Sequence, residues 1–157
     1  MTTAIYLRTS KTEQNLDNQR IPLVQYCERM GWPYEIFEEQ ESTRKTRPVQ
    51  WELYNKLLRK EYDRLIIYKL DRWARSTKEL IEHTDRLVEK GVGIISYTEN
   101  IDFSSSMGQF MRTVMAAFAQ LERDLIRERT LAGLARARAR GKKLGRPRKK
   151  KSSSSKH

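Results

Sequence analysis

RLIIYKL, residues 64 to 70, decides the fold. The run is nearly continuous in apolar residues, too short for an ordinary helix, and bounded by charged neighbours. It reads as a strand buried on both faces, the setting of a parallel sheet covered by helices. On its N-terminal side, Pro48 is suited to a first helical turn and leads a helix bearing Leu53, Leu57 and Leu58. On its C-terminal side, Ser76 and Glu79 make an S-x-x-E capping box, so STKELIEHTDRLVEKG reads as a helix ended by Gly91. Further out, AIYLR at 4–8, YEIFEE at 34–39 and VGIISY at 92–97 supply three more strands, and LVQYCERMG at 23–31 a helix stopped by Gly31. The order β-α-β-α-β-α-β argues for an α/β fold, a mostly parallel sheet flanked by helices.

Beyond the fourth strand the pattern changes. From Ser104 to Arg140 there is no proline, and the only glycines are Gly108 and Gly133. Met107, Phe110, Met111, Val114, Met115, Phe118, Leu121, Leu125 and Ile126 recur at three- and four-residue spacing as one apolar stripe. A helix of about 37 residues is roughly 55 Å long, more than so small a domain covers, and is expected to project. Its first turns cap the domain's own core. Its length and its methionines favour a homodimer formed through Phe110, Met111, Val114, Met115 and Phe118. The expected organisation is an α/β core over 1–101, a long helix over 102–140, and a basic, disordered tail over 141–157.

Charge divides along the chain. Residues 1–122 carry 18 Lys and Arg against 18 Asp and Glu, whereas residues 123–157 carry 14 against 2, a surplus equal to the net charge of +12. Arg136, Arg138, Arg140, Lys142, Lys143, Arg146 and Arg148 belong to that surplus. It reads as an element that binds a polyanion, nucleic acid ahead of an acidic membrane surface, or as a solvated tail that keeps the chain dissolved. No apolar run approaches the roughly 18 residues of a membrane span, and no signal-peptide core opens the sequence, so a cytoplasmic location is expected. Cys27 stands alone, which leaves no intrachain disulfide and no cysteine cluster, and reads as a small core hydrophobe.

Several kinds of catalyst are missing from the sequence. It has no G-x-x-x-x-G-K-[ST] loop, no G-x-G-x-x-G and no G-x-S-x-G elbow. His83, inside a helix, reads as a helix-surface residue, and His157 lies in the tail; no cofactor or metal is expected. What the strand ends offer is arginine. In AIYLRTS, side chains alternate, so Tyr6, Arg8 and Ser10 share one face at the strand's C-terminal end, where open α/β sheets place ligands. Arg47 precedes Pro48, and Arg72 and Arg75 follow the third strand. Guanidinium forks around a serine suit a phosphodiester, whose negative charge intensifies as a phosphorane forms.

YLRTS, LDNQ, Arg47-Pro48, KLDRWAR and AQLERDLIRERT resemble, in order and spacing, the catalytic domain of the serine recombinases, the resolvase and invertase family. The resemblance covers residues 1 to about 145. It implies a DNA-cutting and rejoining enzyme in which Ser10 forms a 5′-phosphoserine link and releases a 3′-hydroxyl. It further implies that Arg8, Arg47, Arg72 and Arg75 bind the phosphate, that Asp71 assists proton transfer or positioning, and that Tyr6, Gln14 and Gln19 support the site. The long helix becomes the helix of the dimer and of a synaptic tetramer, with Arg123, Glu128 and Arg129 near double-stranded DNA. GRPRK resembles the family's minor-groove arm. Family members usually follow it with a helix-turn-helix, for which the 17 residues from 141 to 157 are too few. A catalytically silent DNA-binding protein of the same fold and a small phosphohydrolase stand as the alternatives.

Overall fold

The computed structural model describes residues 1–9, 16–40, 46–142 and 145. In chain order the elements are β1 (Thr3–Thr9), α1 (Asp17–Met30), β2 (Tyr34–Gln40), α2 (Pro48–Leu58), β3 (Arg64–Ile67), α3 (Leu70–Trp73), α4 (Thr77–Glu89), β4 (Gly93–Ser96), β5 (Ile101–Asp102) and α5 (Ser106–Ala139). The sheet runs β2-β1-β3-β4-β5. Its first four strands are parallel, and β5 returns antiparallel to β4. The α/β reading holds. β5 and α3 were not anticipated, and the buried strand at 64–70 is shorter than its apolar run because Leu70 already opens α3.

Alternation along β1 produces the two layers. Ala4 and Tyr6 enter one core with Leu53 and Leu57 of α2, Trp73 of α3, Leu80 and Leu87 of α4, and Phe103. Ile5 and Leu7 enter the other with Leu23 and Cys27 of α1, Ile66 and Ile95. Cys27 is therefore the core hydrophobe expected of it, and burial pushes its thiol up to about 11. Helix ends obey local chemistry. Pro48 opens α2, Ser76 Oγ accepts the Glu79 N–H at 3.2 Å, and Glu79 Oε2 accepts the Arg75 N–H at 2.6 Å.

Two units emerge from the packing of the backbone, residues 1–119 and residues 120–157. In the first, α5 is tied down by Met115, which packs against the Trp73 core, by an ion pair from Arg112 to Asp85 of α4, and by Gly108. A Cβ at Gly108 would run into the Asp102 carbonyl oxygen and lie 2.5 Å from Phe103 Cα, backbone that has nowhere to go. Only a residue without a side chain lets the helix start so close to β5. In the second unit, the side chains of α5 from Gln120 onward are largely exposed.

Gly108→Ala should thus destabilise the chain by about 1–3 kcal/mol or more, as overpacking against an immobile neighbour does. A denaturant titration measures it. A midpoint within error of wild type would show that α5 and β5 separate freely.

Candidate active site

The carboxyl end of β1 is where polar groups gather, and a very short helix organises them. α3 has four residues, so past the Leu70 carbonyl, which accepts the Ala74 N–H at 3.1 Å, its carbonyls have no helical N–H ahead of them to accept from. Arginine supplies the missing donors. Arg8, 8 % exposed, donates from Nε to the Arg72 carbonyl at 3.1 Å and from Nη2 to the Asp71 carbonyl at 2.7 Å. Arg47 donates from Nη1 to the Trp73 carbonyl at 2.7 Å and to Gln50 Oε1 at 3.3 Å. Gln50 Nε2 donates to the same Trp73 oxygen. Two guanidiniums from distant parts of the sequence are thereby pinned to consecutive carbonyls.

Other expected residues join them. Gln19, buried on α1, donates from Nε2 to the Arg8 carbonyl at 3.0 Å, which locks α1 to the end of β1. Tyr6 lies edge-on to Trp73 with ring centroids 5.2 Å apart. Its hydroxyl is buried without a partner among the described residues. Burial, and then Glu39, push this phenol well above its ordinary range, against the pull of Arg47, Arg8 and Arg75. Those arginines therefore share one electrostatic neighbourhood. Burial, and then Arg8 and Arg75, lower the Arg47 guanidinium from its usual value. Repulsion of that kind is relieved by an anion. Arg72 and Asp71 sit side by side on α3, Arg72 Nη1 3.7 Å from Asp71 Oδ2; the Asp71 carboxylate is 66 % exposed.

Ser10 and Gln14 lie outside the described residues, as do Lys143, Arg146 and Arg148. Arg123, Arg129, Arg136, Arg138, Arg140 and Lys142 are exposed along the second unit, with Glu128. Of the five expected dimer residues, Phe110 and Phe118 are exposed at 61 % and 65 %, whereas Met111, Val114 and Met115 are half-buried against their own domain.

Sequence reasoning missed three residues. Glu39 is buried at 2 % exposure, pairs in register with Arg8, and accepts the Gln50 N–H at 2.8 Å, so it holds the start of α2 behind Arg47. Gln50 is the second, as the bridge to Trp73. His83 is not the surface residue expected. Its ring stacks on Tyr54 at 4.2 Å and meets Trp73 edge-on at 5.9 Å. An aromatic partner on another helix leaves no local signal, and a capping carboxylate on a strand resembles any other strand glutamate.

Glu39→Ala removes the acceptor of a buried N–H and should cost about 1–3 kcal/mol, with a smaller loss for Glu39→Gln, which keeps an acceptor. Chemical denaturation of both variants checks this. Equal losses would place the effect in charge rather than in the bond to Gln50.

The resolvase N-terminal domain family matches residues 3–143. The transposon Tn917 resolvase of Enterococcus faecalis is 47 % identical over 146 residues, 93 % of this chain and 76 % of that protein. The DNA-invertase hin of Salmonella typhimurium is 44 % identical over 149 residues, 94 % and 75 % of the two chains. Among solved structures, the N-terminal catalytic domain of TP901-1 integrase is similar with a TM-score of 0.69 and 32 % identity, over 80 % of this chain and 98 % of that one.

Proposed function

Because the chain belongs to the resolvase family, we propose that it is a site-specific serine recombinase that cuts and rejoins DNA through Ser10. One observation carries the chemistry. Arg8 and Arg47 are held on the consecutive carbonyls of α3, with Arg75 acting on the same charges, at the end of the strand whose next residue in the sequence is Ser10.

In this reading, Ser10 Oγ attacks the phosphorus, a Ser–O–P ester forms, and the bond to the 3′-oxygen breaks. Arg8, Arg47, Arg72 and Arg75 take up the charge of the phosphorane. One phosphate ester replaces another, so the 3′-hydroxyl of a second strand restores the diester by the reverse attack without an energy source. Asp71 serves in proton transfer or positioning at the exposed rim. Tyr6, Gln14 and Gln19 support the arginines, Gln19 through its bond to the Arg8 carbonyl. The work is done in the cytoplasm, on double-stranded DNA.

Assembly follows from α5. Phe110 and Phe118 leave an apolar part of the first unit's stretch of the helix in water, and Leu121, Leu125 and Ile126 are likewise exposed in the second unit. A second copy of the helix buries these side chains in a homodimer, and two dimers make the synaptic tetramer. Arg123, Arg129, Arg136, Arg138, Arg140 and Lys142 follow on the same helix and its end, where they meet phosphates. Among the described residues no helix is long and apolar enough to cross a membrane.

Ser10→Ala should fold and bind DNA while forming no covalent adduct. With a helix-turn-helix reader fused at the C-terminus and its supercoiled target supplied in excess EDTA, denaturing separation and mass spectrometry should find DNA linked to Ser10 in the parent alone. An adduct elsewhere, or cleavage persisting in Ser10→Ala, overturns the assignment. A parent that binds and synapses this DNA without ever forming the link is the silent DNA-binding protein instead.

Phe118→Asp buries a charge in the helix contact at a cost of several kcal/mol, about what an unpaired polar group demands. Sedimentation should show a monomer for the variant and a dimer for the parent at tens of micromolar, roughly −6 kcal/mol of association or better. A parent that stays monomeric removes the dimer.

A further inference from the structure

Beside the arginines, the first unit opens a cleft of about 390 Å³ whose walls include Arg47, Trp51, Tyr54, Arg75, Glu79 and His83. The volume falls in the range of roughly 300–1,000 Å³ that small-molecule sites occupy. Its floor is a pile of rings. Trp51 lies 6.0 Å from Tyr54 with the planes 32° apart, and Tyr54 lies on His83 at 24°. Burial pushes His83 below its ordinary value, against Glu79 and Glu82 and with Arg86 and Arg47, so the pile is uncharged at neutral pH.

Trp51 is the unusual member. It is 62 % exposed, in the first turn of α2, where its indole adds little to the core. An isolated surface tryptophan asks for no explanation. This one shares a cleft with Arg47 and Arg75, two guanidiniums of the phosphate-binding set. A flat apolar face in the same cleft as positive charge matches the two halves of a nucleotide, a base with a π-face and an anionic phosphate.

We propose that the cleft is a nucleobase subsite, in which the base next to the scissile phosphate stacks on Trp51 while its phosphate faces Arg47 and Arg75. The inference rests on the strand-cutting reading of the site. When the diester breaks, the flanking nucleotide loses its covalent tether on one side and is held by the rest of its strand, by stacking on its neighbour and by pairing with the opposite strand, the last of which a base seated on Trp51 gives up. Trp51 offers it a second face, and the cut end stays in place for rejoining. Glu79, whose carboxylate accepts the Arg75 N–H, adds an acceptor at the wall for an exocyclic amino group and repels a phosphate that enters too far.

The test uses the chain as it stands, ¹⁵N-labelled, titrated with the dinucleoside monophosphate of deoxyadenosine, with an abasic deoxyribose phosphate and with inorganic phosphate. The Trp51 indole signal, assigned by its loss in Trp51→Phe, should move with the dinucleotide and not with the other two probes. Trp51→Ala should weaken dinucleotide binding about 5- to 150-fold, the span that base–aromatic stacking commands, and leave phosphate affinity within about twofold of the parent. Trp51→Phe should retain most of the dinucleotide affinity, and an unchanged melting temperature in both variants shows the fold intact.

An unmoved indole, an undiminished affinity in Trp51→Ala, an equal loss for inorganic phosphate, or no dinucleotide binding at about 10 mM overturns the subsite. So does an indole that responds only to rising protein concentration, which makes Trp51 a contact between copies. A failure of Ser10 to form its adduct, by contrast, removes the strand-cutting reading while the dinucleotide titration still reports on the cleft.

Discussion

Everything at the candidate site depends on the carbonyl oxygens that α3 cannot satisfy by itself. A helix of four residues closes one bond of its own, from the Ala74 N–H to the Leu70 carbonyl, and the acceptors left over at Asp71, Arg72 and Trp73 are taken by Arg8, Arg47 and Gln50. Hydrogen bonds with a charged donor contribute about 1.5–3 kcal/mol each, and they orient a planar fork that a solvated arginine would leave free to swing. The bonds reach across 63 and 64 residues of sequence from Arg8 and 26 from Arg47. The site is therefore a product of the tertiary fold, complete only when β1, α2 and α3 have met.

Concentrating like charges opposes folding. Arg47 registers the opposition directly, its guanidinium weakened by burial and by Arg8 and Arg75. Glu79 offsets part of it, while Glu39 holds the start of α2 behind Arg47 through the Gln50 N–H. In the proposed reading, the remaining positive charge draws an anion. Any ligand that binds only the folded chain raises its stability, approximately in proportion to the logarithm of its concentration once that exceeds the dissociation constant, so on the proposed reading a phosphate diester would stabilise the fold as it binds.

Much of this was legible in the residues. Period-two and continuous apolar runs marked the four parallel strands, Pro48 and the Ser76–Glu79 box marked helix starts, and the alternation of AIYLRTS put Tyr6 and Arg8 on one face. The arginines were visible as residues of the right chemistry at strand ends. Their anchors were not, since backbone carbonyls carry no sequence identity and α3 is too short to leave a period. Glu38 and Glu39 look alike in sequence. Only the register of β2 against β1 turns one into water and the other under Arg8. His83 escaped for a related reason, its stacking partner lying on a different helix.

The sheet's outer strands carry a last consequence. β2 borders one side and presents Glu35, Glu38 and Gln40 to solvent. β5 borders the other and is two residues long. A carboxylate-studded border and a stub both make poor templates for a neighbour's backbone. Among the described residues, neither border therefore invites the open-ended ribbon of backbone-paired copies that an exposed, flat strand edge would seed.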